Sequence, residues 1–238
     1  MKKPSALNLT VYIIVRIVVL SNGVLALVDG RIFTALQCLL SLVLFMLPTL
    51  LERRFKIELP STLELIVILF IFASTFLGEV GGYYDRYRLW DTLLHVTSGF
   101  LTTAIGFSMI DILNRSEHVK FTLSAGFVAL FAFCFSMTIG VVWEFYEFAM
   151  DMIFVTDMQK DTIVHEFSSV LLDLPAARVE SAVLNGVELD GWLDIGLIDT
   201  MKDLLVCAVG AVMFSVFGYI YVKTREQKWI TRLMPRKK

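Results

Sequence analysis

Long apolar runs separated by short charged stretches dominate the chain, and their length is the first structural clue. A helix needs about 20 residues to cross a hydrocarbon core, where it satisfies its own backbone groups. Six runs reach that length. Leu9–Val28 is the first, interrupted by Arg16 and Asn22. Ile32–Leu51 follows and stops at Glu52-Arg53-Arg54. Ser61–Gly81 opens after Pro60, a helix-start signal. Trp90–Ile110 ends at Asp111, Phe121–Met152 is longer than a lipid span, and Thr200–Val222 closes the set. The pattern predicts an all-α fold: a polytopic membrane helix bundle of about six transmembrane helices. Met1-Lys2-Lys3 resembles the start of a signal peptide, but Arg16 and Asn22 break the apolar core and no small-x-small site follows, so the first run reads as a retained helix.

One connection is long. Residues 154–198 carry eight acidic side chains against Lys160 and Arg178. Asp161–Leu174 has helical spacing in Ile163, Phe167, Val170, Leu171 and Leu174, and Pro175 stops it. Arg178–Leu193 reads as a hairpin around Asn185-Gly186. The expectation is a small extracytoplasmic cap, a short helix plus a hairpin, inserted into a bundle that covers residues 1–222. A basic cytoplasmic tail, 223–238, follows.

Composition agrees with the pattern. Of 238 residues, 57% are hydrophobic and 18% charged, and the mean hydropathy is +0.72. Soluble domains carry roughly 25% charged residues. With 21 Lys+Arg against 23 Asp+Glu there is no basic excess for nucleic acid. Cys38, Cys134 and Cys207 lie apart within apolar runs and read as small buried hydrophobes rather than a disulfide or zinc framework.

Charge then sets a direction. With the N-terminus inside, the inner segments hold 14 Lys and Arg and the outer ones 5. The positive-inside rule therefore favours a multi-pass cytoplasmic-membrane protein with both termini cytoplasmic. In the tail, Trp229, Ile230 and Leu233 alternate with basic residues, which suits an inner-leaflet lipid contact or an ordinary positive anchor.

The remaining signal is polar residues where lipid disfavours them. Asp91 opens the fourth run and His95 lies one turn deeper. Glu144, Glu147 and Asp151 form one stripe on the fifth. Asp199 opens the sixth, with Lys202 and Asp203 a turn later, and Glu79 closes the third. The topology places all of them near the outer leaflet, while the inner half offers only Arg16 and Asp111. Intramembrane ionisable groups mark functional sites by default. The metal ligands expected here are His95, Glu144, Glu147, Asp199 and Asp203, and the candidate catalytic groups are Asp91, His95, Glu144, Glu147 and Asp203. Carboxylate oxygen with imidazole nitrogen suits a divalent cation such as zinc or manganese. The same groups also suit acid–base work or a cation path. A plain structural role stays open, because Asp91 and Asp199 are natural helix caps and Lys202 can neutralise a carboxylate. Among the weaker signals, Gly99, Gly106, Gly140, Gly210 and Gly218 are spaced for close helix packing, Arg16 either snorkels inward or pairs with Asp111, and His165 is placed to lean over the site. His118 falls in a loop.

Three motifs carry a family resemblance. Trp90-Asp91-x-x-x-His95-x-x-x-Gly99-Phe100, Trp143-Glu144-x-x-Glu147-Phe148 and Asp199-Thr200-Met201-x-Asp203 with Gly210-Ala211 resemble the YjdF-like bacterial inner-membrane proteins, and more loosely the VanZ-like proteins. The resemblance covers about residues 60–222 and implies a multi-span bundle in the cytoplasmic membrane, with no reaction attached. The insertion Asp161–Asp194 departs from the shorter family pattern. His-Glu-x-x-His and Gly-x-Ser-x-Gly are absent. The functional expectation is an outward-facing acidic/His pocket that binds a cation or acts on a lipid-headgroup or envelope substrate. A small-cation transporter and a non-catalytic scaffold are the alternatives. Membrane lipids are the expected partners.

Overall fold

The computed structural model describes residues 6–55, 57–114, 123–171, 174–224, 230–234 and 236–237. Among them, six helices are long and apolar enough to cross a membrane, which makes the chain an all-α polytopic membrane protein. It divides into two compact units, Met1–Thr138 with Val206–Lys238, and Ile139–Leu205.

In the first unit, α1 (Ala6–Val28) packs on α2 (Ile32–Leu44). Gly23 permits that approach, since a Cβ there would lie 3.1 Å from the Cβ of Cys38. The second span breaks before α3 (Leu47–Phe55). Pro48 explains the break: it lacks the N–H that would bond Leu44, and its ring clashes with that carbonyl. Arg16 uses the irregularity. Its Nη2 donates to the Phe45 carbonyl at 3.2 Å, and its guanidinium lies 5.5 Å from the centre of the Tyr12 ring. A cation in the span is thus held by a backbone oxygen and an aromatic face rather than by the expected Asp111. The helix also runs through Glu52-Arg53-Arg54 instead of stopping there.

The third span changes its winding. An α-helical part, α4 (Ser61–Ile71), continues as a π-helix over Phe72–Val80. Ser74 and Thr75 donate to the Ile71 carbonyl and compete with the α ladder. Thr75 also accepts from Ser41 at 2.8 Å, and Glu79 accepts from Gln37 at 3.2 Å. Glu79 is therefore exposed and bonded to α2. A short helix, α5 (Tyr83–Arg86), leads to α6 (Trp90–Asn114). Asp111 does not end α6; the helix continues one turn, and Asp111 is 5% exposed.

The longer helices α7 (Ala125–Phe154) and α8 (Leu197–Thr224) contribute residues to both units. Within the first unit, Phe107 and Ile110 of α6, Val128 and Ala132 of α7, and Phe214 and Tyr221 of α8 form one core. Ile230 and Met234 of the tail are buried in it. Ile230 thus packs inward rather than lying on lipid. A short strand β1 (Ile57–Glu58) pairs with β8 (Arg236–Lys237). His118 and Asp173 lie outside the described residues. Cys38 and Cys207 are buried as expected, but Cys134 is exposed.

The second unit holds the cap. It contains strands and no helix over the described part of 161–174, which corrects the helical expectation for that segment. β2 (Thr162–Val164) pairs with β7 (Trp192–Asp194), β3 (Glu166–Ser169) with β4 (Leu174–Arg178), and β5 (Ala182–Leu184) with β6 (Val187–Leu189), all antiparallel. The Asn185-Gly186 hairpin forms as expected, with both residues at positive φ, 52° and 83°. That conformation matches a type I′ turn and favours this residue pair.

Candidate functional site

Among the described residues, the buried Asp, Glu and His side chains fall on three helices. In the first unit, α6 carries Asp91 and His95 one turn apart, with His95 Nε2 3.5 Å from Asp91 Oδ1. His95 is 8% exposed. One turn further, α6 and α8 come into backbone contact. A Cβ on Gly99 would overlap the Cys207 carbonyl, and one on Gly210 would overlap the Val96 carbonyl. α7 meets the same turn, because Ser136 donates to the Gly99 carbonyl at 2.9 Å and bonds Thr102 at 2.7 Å. Glycine and small hydroxyl residues bring the three helix axes together here, as is usual in membrane bundles.

In the second unit, α7 carries Glu144 and Glu147 at an i, i+3 spacing, 4% and 8% exposed. Trp143 Nε1 donates to Glu147 Oε1 at 2.7 Å, so the indole fixes the direction of that carboxylate. Asp203 of α8 is 4% exposed, whereas Lys202 beside it is exposed. Asp151 and Asp199 do something different. Asp151 accepts from the Met158 and Gln159 N–H groups and the Thr156 hydroxyl. Gln159 then donates to the Thr200 hydroxyl, and the Lys160 N–H to Asp199 at 2.8 Å. The 155–160 segment thereby ties the end of α7 to the start of α8. Glu147 lies one turn inside Asp151, and Asp203 one turn inside Asp199.

Asp199 was expected both to open α8 and to ligate. The helix starts two residues earlier, and Asp194 caps it by accepting from the Ile198 N–H at 2.8 Å. Asp199 is committed to the Lys160 backbone. Asp91 likewise lies inside the first turn of α6 rather than before it. In the cap, His165 is exposed between β2 and β3.

These features sit within a chain whose residues 7–224 match a family model described as "Predicted membrane protein (DUF2238)". The chain belongs to that family. The DUF2238 match spans all six candidate membrane helices almost to their ends. A Thermotoga maritima protein described as "Uncharacterized protein" is 24% identical over 106 residues, which is 44% of this chain and 53% of that protein. The chain thus matches about half of that relative's length. No solved structure matches.

Sequence reasoning on this DUF2238 protein missed two elements. Trp143 was legible as an i, i+4 neighbour of Glu147 but passed as part of a motif. The depth of Asp111 was hidden by its position at the edge of an apolar run.

Proposed function

We propose that this protein spans the cytoplasmic membrane with both termini inside and holds a divalent cation in an outward-facing pocket. On this reading residues 1–222 are the bundle, 154–198 an extracytoplasmic cap and 223–238 a cytoplasmic tail. The ligands are drawn from two sets, Asp91, His95 and Asp203, and His95, Glu144 and Glu147. His95 belongs to both.

The observation that carries the proposal is burial. His95, Glu144, Glu147 and Asp203 are each less than 10% exposed in helices whose outward faces are apolar. Removing a carboxylate from water costs several kcal/mol unless an opposite charge compensates. Carboxylate oxygens and one imidazole nitrogen are the donor types that a zinc or manganese ion accepts. His95 lies one turn from Gly99 on α6, where that helix touches Cys207 of α8 in the same unit. Trp143 on Glu147 supplies an outer hydrogen bond that would orient such a ligand.

A cation in that position would polarise a phosphate or carbonyl oxygen of a lipid headgroup or envelope substrate approaching from outside. The transporter reading draws on a separate observation. Thr103, Ser108 and Ser136 are fully buried, and Asp111 is buried beyond them, so polar groups extend further along α6 than the sequence suggested. Their hydroxyls, however, bond to the Gly99 and Ala104 carbonyls, with one hydroxyl–hydroxyl contact, Ser136 to Thr102.

Metal analysis of the purified protein tests the proposal. A stoichiometric manganese or zinc ion that is lost in His95→Ala and Glu144→Gln is the expected result. Metal at background level in the wild type, after addition of either ion, overturns it. Reporter fusions at Pro175 and after Lys238 should score on opposite sides of the membrane; the same side would refute the topology.

A further inference from the structure

A separate feature of the first unit involves residues assigned no role above. α7 and α8 enclose a groove of about 380 Å³ lined by Ala129, Leu130, Phe133, Val212, Val216 and Tyr219. The one hydroxyl of the α8 turn between them, Ser215, donates to the Ala129 carbonyl at 3.3 Å, so the groove surface is apolar. Leu130, Val212 and Val216 are exposed along it. From Val212 to Tyr219 the groove runs about 10 Å along the helix. At its end, one turn beyond Tyr219, Lys223 places its Nζ 6.0 Å from the centre of the Tyr219 ring.

We propose that this groove binds an anionic phospholipid, with one acyl chain between α7 and α8 and the phosphate against Lys223. The groove belongs to two membrane-spanning helices, where the surrounding solvent is hydrocarbon, so an acyl chain fills it without desolvating a polar group. The ammonium held over the Tyr219 face lies where the apolar wall ends, the level at which a phosphate follows the chain. Charge complementarity at that end selects anionic over zwitterionic headgroups. The site uses none of the residues assigned to the cation pocket and stands or falls separately from it.

Native mass spectrometry of the full-length protein in detergent, titrated with phosphatidylglycerol and phosphatidylcholine of identical acyl chains, tests the assignment. The wild type should prefer phosphatidylglycerol by about fivefold, the factor equivalent to about 1 kcal/mol for one lysine at an anionic surface. Lys223→Gln should remove the preference while leaving binding of phosphatidylcholine unchanged. Val216→Trp, which fills the groove from an exposed position, should reduce binding of both lipids. Val212→Phe serves the same purpose if Val216→Trp does not elute as a folded species. Equal binding of the two lipids by the wild type, or undiminished binding in the filled variants, would overturn the proposal.

Discussion

Helix α1 turns Ile13, Leu20 and Leu25 outward and buries Val15, Val19 and Ala26, so both of its faces are apolar. Helix α6 is built the other way. It is the least apolar of the six spans, and it buries His95, Thr103, Ser108 and Asp111 together with Leu101 and Phe107. Within an 18-residue stretch of each, 17% of α1 is buried against 44% of α6. In water the more apolar helix would be the central one. In lipid the solvent is as apolar as leucine, so hydrophobicity does not rank helices by depth, and polar groups move inward instead. The helix with the most to hide from hydrocarbon becomes the centre, and its glycines allow neighbours to close over it.

The largest expected effect tests that contrast directly. Gly99→Leu pushes a side chain into the Cys207 carbonyl, where neither backbone can yield cheaply. It should lower stability by about 3 kcal/mol, at the upper end for overpacking. Leu20→Ala on the outward face of α1 should stay within about 0.5 kcal/mol. Thermal denaturation in one detergent compares the two, and equal losses would erase the distinction between a central and a peripheral span.

A smaller effect is expected at the polar centre. Trp143→Phe keeps the ring and removes the donor to Glu147. If that carboxylate ligates a cation, affinity should fall about 10–100-fold, as for other outer-shell partners, with little change in the melting temperature. Titration calorimetry with manganese measures it. Unchanged affinity would remove Glu147 from the ligand set.

The smallest effect is in the strand-rich segment between α7 and α8. Burial, then the neighbouring charges of Asp157 and Asp194, raise the Asp161 carboxyl above its ordinary value of 3.8. The folded cap therefore binds this proton more tightly than the unfolded chain does. Its stabilising contribution is fully present below that ordinary value and is lost as pH rises through the elevated one. Lowering the pH from neutral toward 3.8 should slow proteolysis of this segment more in the wild type than in Asp161→Asn. A steeper dependence in the variant would reverse the sign.

The sequence was most readable where one physical constraint dominated. Six runs long enough for lipid became six spans, and Asn185-Gly186 became a hairpin because few other residue pairs tolerate two positive φ values. It was least readable where two patterns coincide. Ile163, Phe167, Val170, Leu171 and Leu174 have helical spacing, yet the segment forms β2 and β3 and leaves Val170 and Leu171 99% and 94% exposed at a turn. The β-branched Thr162-Ile163-Val164 was the competing signal. In the polar set, burial of His95, Glu144, Glu147 and Asp203 follows from helical phase. Asp199 does not follow from phase, because the Lys160 N–H, 39 residues earlier in the chain, bonds its carboxylate. No local pattern announces that bond. Arg16 is similar: its partner is the Phe45 carbonyl, at the break of the second span.

The central claim is that the buried carboxylates and His95 share one cation, and direct imidazole ligation is its sharpest consequence. Electron spin echo envelope modulation of manganese-loaded protein reports nitrogen bound to the ion. The account predicts a nitrogen modulation in the wild type that disappears in His95→Ala and persists in the His165→Ala control. Manganese bound with no nitrogen modulation, or a modulation that survives His95→Ala, would contradict it.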